Sequence, residues 1–148
     1  MSDRFLIDTN VISELRRRDP EPFVVRWFAQ RPAQQLFVSV LTLGEIRNGV
    51  ERLPSGERKH VLTQWLERDL PAFFAGRVLG IDEAVAHRWG CLQAEMGRPL
   101  AAIDSLLAAT ALAHDLVLVT RNLKHVAGLP LQVVNPWQQE DASATAET

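Results

Sequence analysis

Phe5-Leu6-Ile7-Asp8-Thr9-Asn10 opens the chain with an apolar run that stops at a carboxylate, a hydroxyl and an amide. The run does not alternate, which is the pattern of a strand buried on both faces in the middle of a parallel sheet. A carboxylate at the end of such a strand sits where water is scarce. It needs a partner, and a metal ion is a good one. A helix beginning at Val11-Ile12 offers another use, with Asp8 or Asn10 as its cap. These six residues by themselves leave both uses open.

Working outward, Val11 to Arg17 reads as a short helix, broken by Asp19-Pro20. Pro22 falls in the first turn of the next helix, Glu21 to Gln30, which buries Val24, Trp27 and Phe28. Leu36 to Val40 is a second strand. Thr42 opens a helix to about Leu53, with Leu43, Ile46 and Val50 at helical spacing. After the turn Pro54-Ser55-Gly56, the chain is helical to Phe74, with a break near Pro71. Val78 to Ile81 is a third strand, and Asp82 caps a helix to about Met96 that Gly97-Arg98-Pro99 ends. Ala102 to His114 is another helix, Val117 to Thr120 a fourth strand and Leu131 to Val134 a weaker fifth. Strands alternating with helices predict an α/β fold with a mainly parallel sheet, and a helical hairpin protruding between strands two and three. Residues 1–137 read as one domain, and residues 138–148 as a polar tail expected to be disordered.

The totals narrow the function. The 148 residues suit one domain with a real core, and 47% hydrophobic with 23% charged is a globular profile. Sixteen Lys and Arg against 18 Asp and Glu leave a net charge of −2, no bulk footprint for nucleic acid. Contact with nucleic acid must then come from a local basic patch or from metal ions. The single cysteine, Cys91, excludes an intrachain disulfide, and in an apolar helical stretch it reads as packing. No signal-peptide pattern and no membrane-length apolar run are seen, so a cytoplasmic protein is expected.

Three further polar positions resemble Asp8 in their placing. Thr42-Leu43-Gly44-Glu45 follows strand two, where a capping box is the ordinary explanation of Glu45. Asp104 lies in a first helical turn, where an acid normally faces the helix dipole. Thr120-Arg121-Asn122 follows strand four and reads as a turn. Geometry changes their weight. Helices that follow parallel strands begin at the carboxyl edge of the sheet, which brings Asp8 and Glu45 to one rim. The Asp104 helix leads directly into strand four, so it runs antiparallel to it and starts at that rim as well. With strand order 3-2-1-4-5, strands one and four meet at the switch point where such sheets bind ligands. Three converging carboxylates repel one another and resist desolvation, and a divalent cation relieves both costs. Oxygen donors favour Mg²⁺ or Mn²⁺, and no Cys/His cluster suggests structural zinc. Such a cage fits phosphodiester hydrolysis by one ion, or by a pair roughly 3.5–4 Å apart.

The same residues carry a resemblance. Leu6-Ile7-Asp8-Thr9-Asn10-Val11-Ile12-Ser13-Glu14-Leu15 resembles the opening motif of PIN-domain ribonucleases, in the branch of VapC-like toxins, FitB-like members above all. Ser39 to Val50 is similar to the second motif, Asp104 to Ala111 to the third and Val119 to Val126 to the fourth; Asn135-Pro136-Trp137 resembles the common ending. Each is weak alone, and four in order at strand ends and helix starts are specific. The resemblance implies a three-layer α/β/α PIN-like fold and a Mg²⁺- or Mn²⁺-dependent endoribonuclease, the toxin of a toxin–antitoxin pair. It implies an acidic site of Asp8, Glu45 and Asp104, with Asp8 and Asp104 as direct metal ligands. Thr9, Asn10, Thr120 and Asn122 would orient carboxylates or water. The fourth motif here has Asn122 and His125, where some relatives carry Asp at the latter position, which leaves a second metal position open; His125 reads as a surface loop residue, with a role in the site as the lesser alternative. The resemblance also implies a small antitoxin covering early helices and the Arg47/Asn48/Glu51 helix, promoter DNA reached through that antitoxin, and a homodimer or hetero-oligomer. RNA, with tRNA as a candidate, would meet Arg47, Arg98, Arg121 and Lys124; Arg16 to Arg18 read as a solvated helix end.

Other phosphoryl enzymes fit less well. A haloacid-dehalogenase-like phosphatase would need Asp-x-Asp after strand one, and the chain has Asp8-Thr9-Asn10. A dinucleotide oxidoreductase would need Gly-x-Gly-x-x-Gly there, and it is absent. The remaining alternative is a catalytically weak PIN-like module that acts through complexes with antitoxin and promoter DNA.

Overall fold

The computed structural model describes residues 3–138. The expected tail, from residue 139 on, lies outside the described residues. Five strands, β1 (Phe5–Ile7), β2 (Leu36–Ser39), β3 (Val78–Leu79), β4 (Val117–Val119) and β5 (Val133–Val134), form one sheet in the order β3-β2-β1-β4-β5. Every neighbouring pair is parallel. Successive side chains of a strand point to opposite faces, and both faces are covered. Ile7 and Val119 point into a core shared with Val11, Val24, Leu62, Leu66 and Phe74. Leu6 and Leu118 point the other way, into a core with Leu92, Leu107, Ala108 and Leu116. This is the three-layer arrangement, and it explains why β1 and β4 read as unbroken apolar runs.

Helices α1 (Thr9–Leu15), α2 (Pro22–Ala29), α3 (Val40–Glu51), α4 (Glu57–Gln64) and α5 (Leu70–Phe73) pack on the first face. Helices α6 (Glu83–Met96) and α7 (Ala102–Ala113) pack on the second, joined by a hydrogen bond from Trp89 Nε1 to Ser105 Oγ. Asp82 caps α6 by accepting from Val85 N–H, and Gly97 ends it in the left-handed conformation. The expected break near Pro71 is a widening instead of a stop. Between α4 and α5 the chain makes a π turn over Trp65–Asp69, with Leu70 N–H reaching back to Trp65 C=O. Pro71, which has no N–H to give, then sits in the first turn of α5.

Two expectations are corrected. The helix after β2 begins at Val40, not Thr42: Ser39 is its cap and accepts from Leu41 N–H at 3.0 Å. Cys91 is exposed, not packed. The buried stripe of α6 follows Val85 and Leu92, and Cys91 falls one step off it.

Candidate active site

The register of the sheet builds the site. Phe5, Leu6 and Ile7 lie opposite Val117, Leu118 and Val119, so the next residues, Asp8 and Thr120, leave the sheet side by side. Asp8 N–H donates to Val119 C=O at 2.9 Å and fixes that alignment. Asp8 does cap α1, but in an unusual way. Its Oδ1 accepts from Thr9 N–H at 2.7 Å, at the first helical residue and not the second or third. That leaves Oδ2 for Thr120, whose hydroxyl donates to it at 2.7 Å. Asn10 Nδ2 lies 3.4 Å from the same oxygen and 3.2 Å from Thr120 Oγ1, and Asn10 Oδ1 accepts from Arg121 N–H. Thus Asp8, Asn10 and Thr120 form one network across β1 and β4.

Glu45 is not part of a capping box. With Ser39 as cap, it stands in the second turn of α3, and its Oε1 accepts from Thr9 Oγ1 at 2.5 Å. Thr9 has one hydroxyl proton, and Glu45 takes it, so Thr42 Oγ1 at 3.3 Å supplies its own proton to Thr9. Thr42 is fully buried. The sequence gives it only a capping role; its place beneath the acid depends on a contact between α1 and α3 that no local pattern reveals.

Asp104 stands in the first turn of α7, whose cap residue, Ala101, offers no side chain. Its Oδ2 lies 3.2 Å from Nδ1 of His125, on the 3₁₀ turn Leu123–Val126 after β4. The contact brings His125, expected first as a loop residue and only second as part of the site, to the acidic rim.

Charge links the three acids. Asp8 is 7% exposed. Burial pushes its carboxyl above the ordinary value; the hydrogen bonds from Thr120 and Thr9 oppose this, and the nearby charges of Glu45 and Asp104 raise it further. An oxygen-only donor set of this kind suits a hard divalent ion. An ionised carboxylate offers about four lone-pair directions, and the close donors to Asp8 are Thr9 N–H and Thr120 Oγ1, so room remains for a cation. Among the described residues, however, no three acid, imidazole or thiol side chains are drawn together tightly enough to form a finished cage. Glu45 turns to Thr9 and Asp104 to His125.

The other predicted residues are placed unevenly. Asn122 N–H donates to Thr120 Oγ1, but the Asn122 side chain is exposed and makes no hydrogen bond among the described residues. Arg121 and Lys124 are exposed beside the site and line a shallow cavity with Asn122 and His125; Arg121 also stacks on Trp137 at 5.0 Å. Arg98 is exposed and donates to Ala127 C=O. Arg47 is held between Glu51 and Glu67.

Comparison with known proteins gives this arrangement a context. The chain is 38% identical to Toxin FitB of Neisseria gonorrhoeae over 135 residues, 89% of this chain and 97% of the toxin. It is 32% identical to VapC ribonuclease Y4jK of Sinorhizobium fredii over 136 residues, 90% of this chain and 97% of that one. A solved structure of FitAB bound to the IR36 DNA fragment contains a chain that superposes with a TM-score of 0.85 at 35% identity, covering 93% of this chain and 99% of that one. Residues 5–127 match the PIN domain, from the strand that presents Asp8 to the turn that presents His125. The chain therefore belongs to the PIN-domain family.

Proposed function

We propose that this chain is a divalent-metal-dependent endoribonuclease, the toxin of a toxin–antitoxin pair, acting on RNA in the cytoplasm. The observation that carries the reading is Asp8: a nearly buried carboxylate at the end of the central strand, within the fields of Glu45 and Asp104. The likeness to a VapC ribonuclease and to Toxin FitB supports the choice of RNA and of the toxin role.

In this reading Asp8, Glu45 and Asp104 would hold Mg²⁺ or Mn²⁺ and serve as the catalytic acids. The ion would supply charge neutralisation at the scissile phosphate and an activated water. The chain supplies the positioning. Thr9 and Thr120 lock the carboxylates of Glu45 and Asp8, Asn10 ties the ends of β1 and β4, and Asn122 braces Thr120 through its backbone. Arg121, Lys124 and Arg98 hold the RNA backbone as point charges. Arg47 joins them only by leaving Glu51 and Glu67. An antitoxin would seat an apolar helix in the groove of about 360 Å³ lined by Ile12, Leu15, Phe28, Trp65 and Phe73. The likeness to a chain of FitAB bound to a DNA fragment supports a partner that reaches DNA, which in this reading is the promoter.

Incubation of purified protein with structured RNA, in Mn²⁺ or in EDTA, tests the reading. Cleavage is expected with Mn²⁺ only, and both Asp8→Asn and Asp104→Asn abolish it. Unchanged cleavage in those variants refutes the roles. Absence of cleavage under any metal condition favours the binding-module alternative.

A further inference from the structure

Among the described residues, His125 is the imidazole that reaches the acidic rim, where it meets Asp104. Its Nδ1 stands 3.2 Å from Asp104 Oδ2, its ring is half-exposed, and Asp104 has no other side-chain hydrogen bond or ion pair among the described residues. A half-exposed ion pair of this sort contributes little to stability, so stability gives no strong reason for the contact. A metal gives one. Adjacent donors around an octahedral ion with bonds of about 2.0–2.1 Å lie about 3 Å apart, close to the observed separation of these two atoms. The turn that carries His125 is also anchored to the site: Asn122 N–H donates to Thr120 Oγ1, and His125 N–H donates to Asn122 C=O. The backbone of the turn is therefore tied to the same network that holds Asp8, and the imidazole reaches from it to Asp104.

We propose that His125 is a ligand in the divalent-ion site, forming with Asp104 an adjacent nitrogen–oxygen pair, and that it shifts this chain's ion preference from Mg²⁺ toward transition ions such as Mn²⁺. The inference rests on the metal-dependent reading above. Mg²⁺ takes oxygen and keeps its water, whereas imidazole suits first-row transition ions. With Asp8, Glu45 and Asp104 as its other protein ligands, an octahedral ion still keeps positions for substrate phosphate, the usual partner of such ions. Lys124, next in sequence and exposed, lines the same cavity as His125.

The test is electron paramagnetic resonance on the tag-free, full-length chain titrated with Mn²⁺, with pulsed detection of nitrogen coupling and parallel calorimetry with Mg²⁺. The wild type is expected to show ¹⁴N modulation that His125→Ala and Asp8→Asn both remove. His125→Ala is expected to weaken Mn²⁺ binding about tenfold while changing Mg²⁺ binding less than about threefold. His125→Asp is expected to recover affinity without nitrogen coupling and to lower the Mn²⁺-to-Mg²⁺ preference. Mn²⁺ that binds, depends on Asp8 and shows no nitrogen coupling overturns the inference while leaving the metal reading intact. Absence of any Asp8-dependent Mn²⁺ binding overturns both.

Discussion

The hydroxyl of Thr120 donates to Oδ2 of Asp8 over 2.7 Å, joining the ends of β4 and β1 across 112 residues of chain. Thr120 Oγ1 in turn accepts from Asn10 Nδ2 and from Asn122 N–H. One proton given and two accepted fill the capacity of a hydroxyl. Thr120 is 1% exposed, so none of these bonds is exchanged with water.

Thr120→Val keeps the shape and removes the hydroxyl. It leaves the Asp8 carboxylate short of a donor and two N–H groups short of an acceptor, at a cost of about 1–3 kcal/mol. Urea denaturation at neutral pH measures the loss, and Thr120→Ser is expected to recover most of it.

Asp8 ties stability to pH. Its carboxyl is pushed above 3.8 by burial first, and by Glu45 and Asp104 after the opposing hydrogen bonds are counted. The folded state therefore binds this proton more tightly than the unfolded state, and the contribution of Asp8 to stability falls as pH rises from 3.8 through the folded value. In metal-free protein, Asp8→Asn is expected to be more stable than wild type at pH 7, with the advantage vanishing below the ordinary carboxylate range. Thermal melts in EDTA at both pH values check this; a variant less stable at pH 7 contradicts it.

Glu14 behaves in the opposite sense. Burial acts to raise its pKa, but Glu21 N–H and the Arg17 guanidinium outweigh it and hold the carboxyl below its usual value. Its stabilisation is present above 4.5 and is lost as pH falls through the lowered value. Glu14→Gln should cost about 1–3 kcal/mol at pH 7, with the difference from wild type shrinking in acid. Denaturation curves across that range decide it.

Thr9→Val should separate positioning from folding. It frees Glu45 from its hydroxyl donor. Removing such a supporting bond lowers metal affinity or activity by about 10–100-fold. Calorimetry with Mn²⁺ and an RNA cleavage assay read the effect, and a thermal melt in EDTA records separately the cost of leaving the buried Thr42 hydroxyl without Thr9.

Phe74 is the largest fully buried side chain among the described residues, at the end of α5 and 1% exposed. Phe74→Ala should cost about 3–5 kcal/mol through the cavity it leaves. Chemical denaturation measures it, and a loss under about 1 kcal/mol would show that the groove beside it collapses to fill the space.

Much of the fold was legible because burial on both faces leaves a direct mark on composition. β1 and β4 are unbroken apolar runs, and each ends at a polar residue that the sheet register then sets beside the other. The start of α3 was misread for a physical reason. Ser39 and Thr42 are both capable caps, and the choice falls to Ser39 because Ser39 still pairs with Leu79 in the sheet and the chain turns only after it. That shift of three residues converts Glu45 from a local capping group into a partner of Thr9. The contact between His125 and Asp104 was not legible because an exposed turn has no periodicity to read and Asp104 lies on another element.

Residue order alone thus determined a parallel sheet between two helical layers and brought acids to its carboxyl rim, since strand burial, helix starts and parallel connections follow local rules. Which hydroxyl holds which carboxylate was decided only by the folded chain. Those bonds span 36 residues from Thr9 to Glu45 and 112 from Asp8 to Thr120. Pairing over such distances is set by strand register and helix packing, and no stretch of sequence contains both partners.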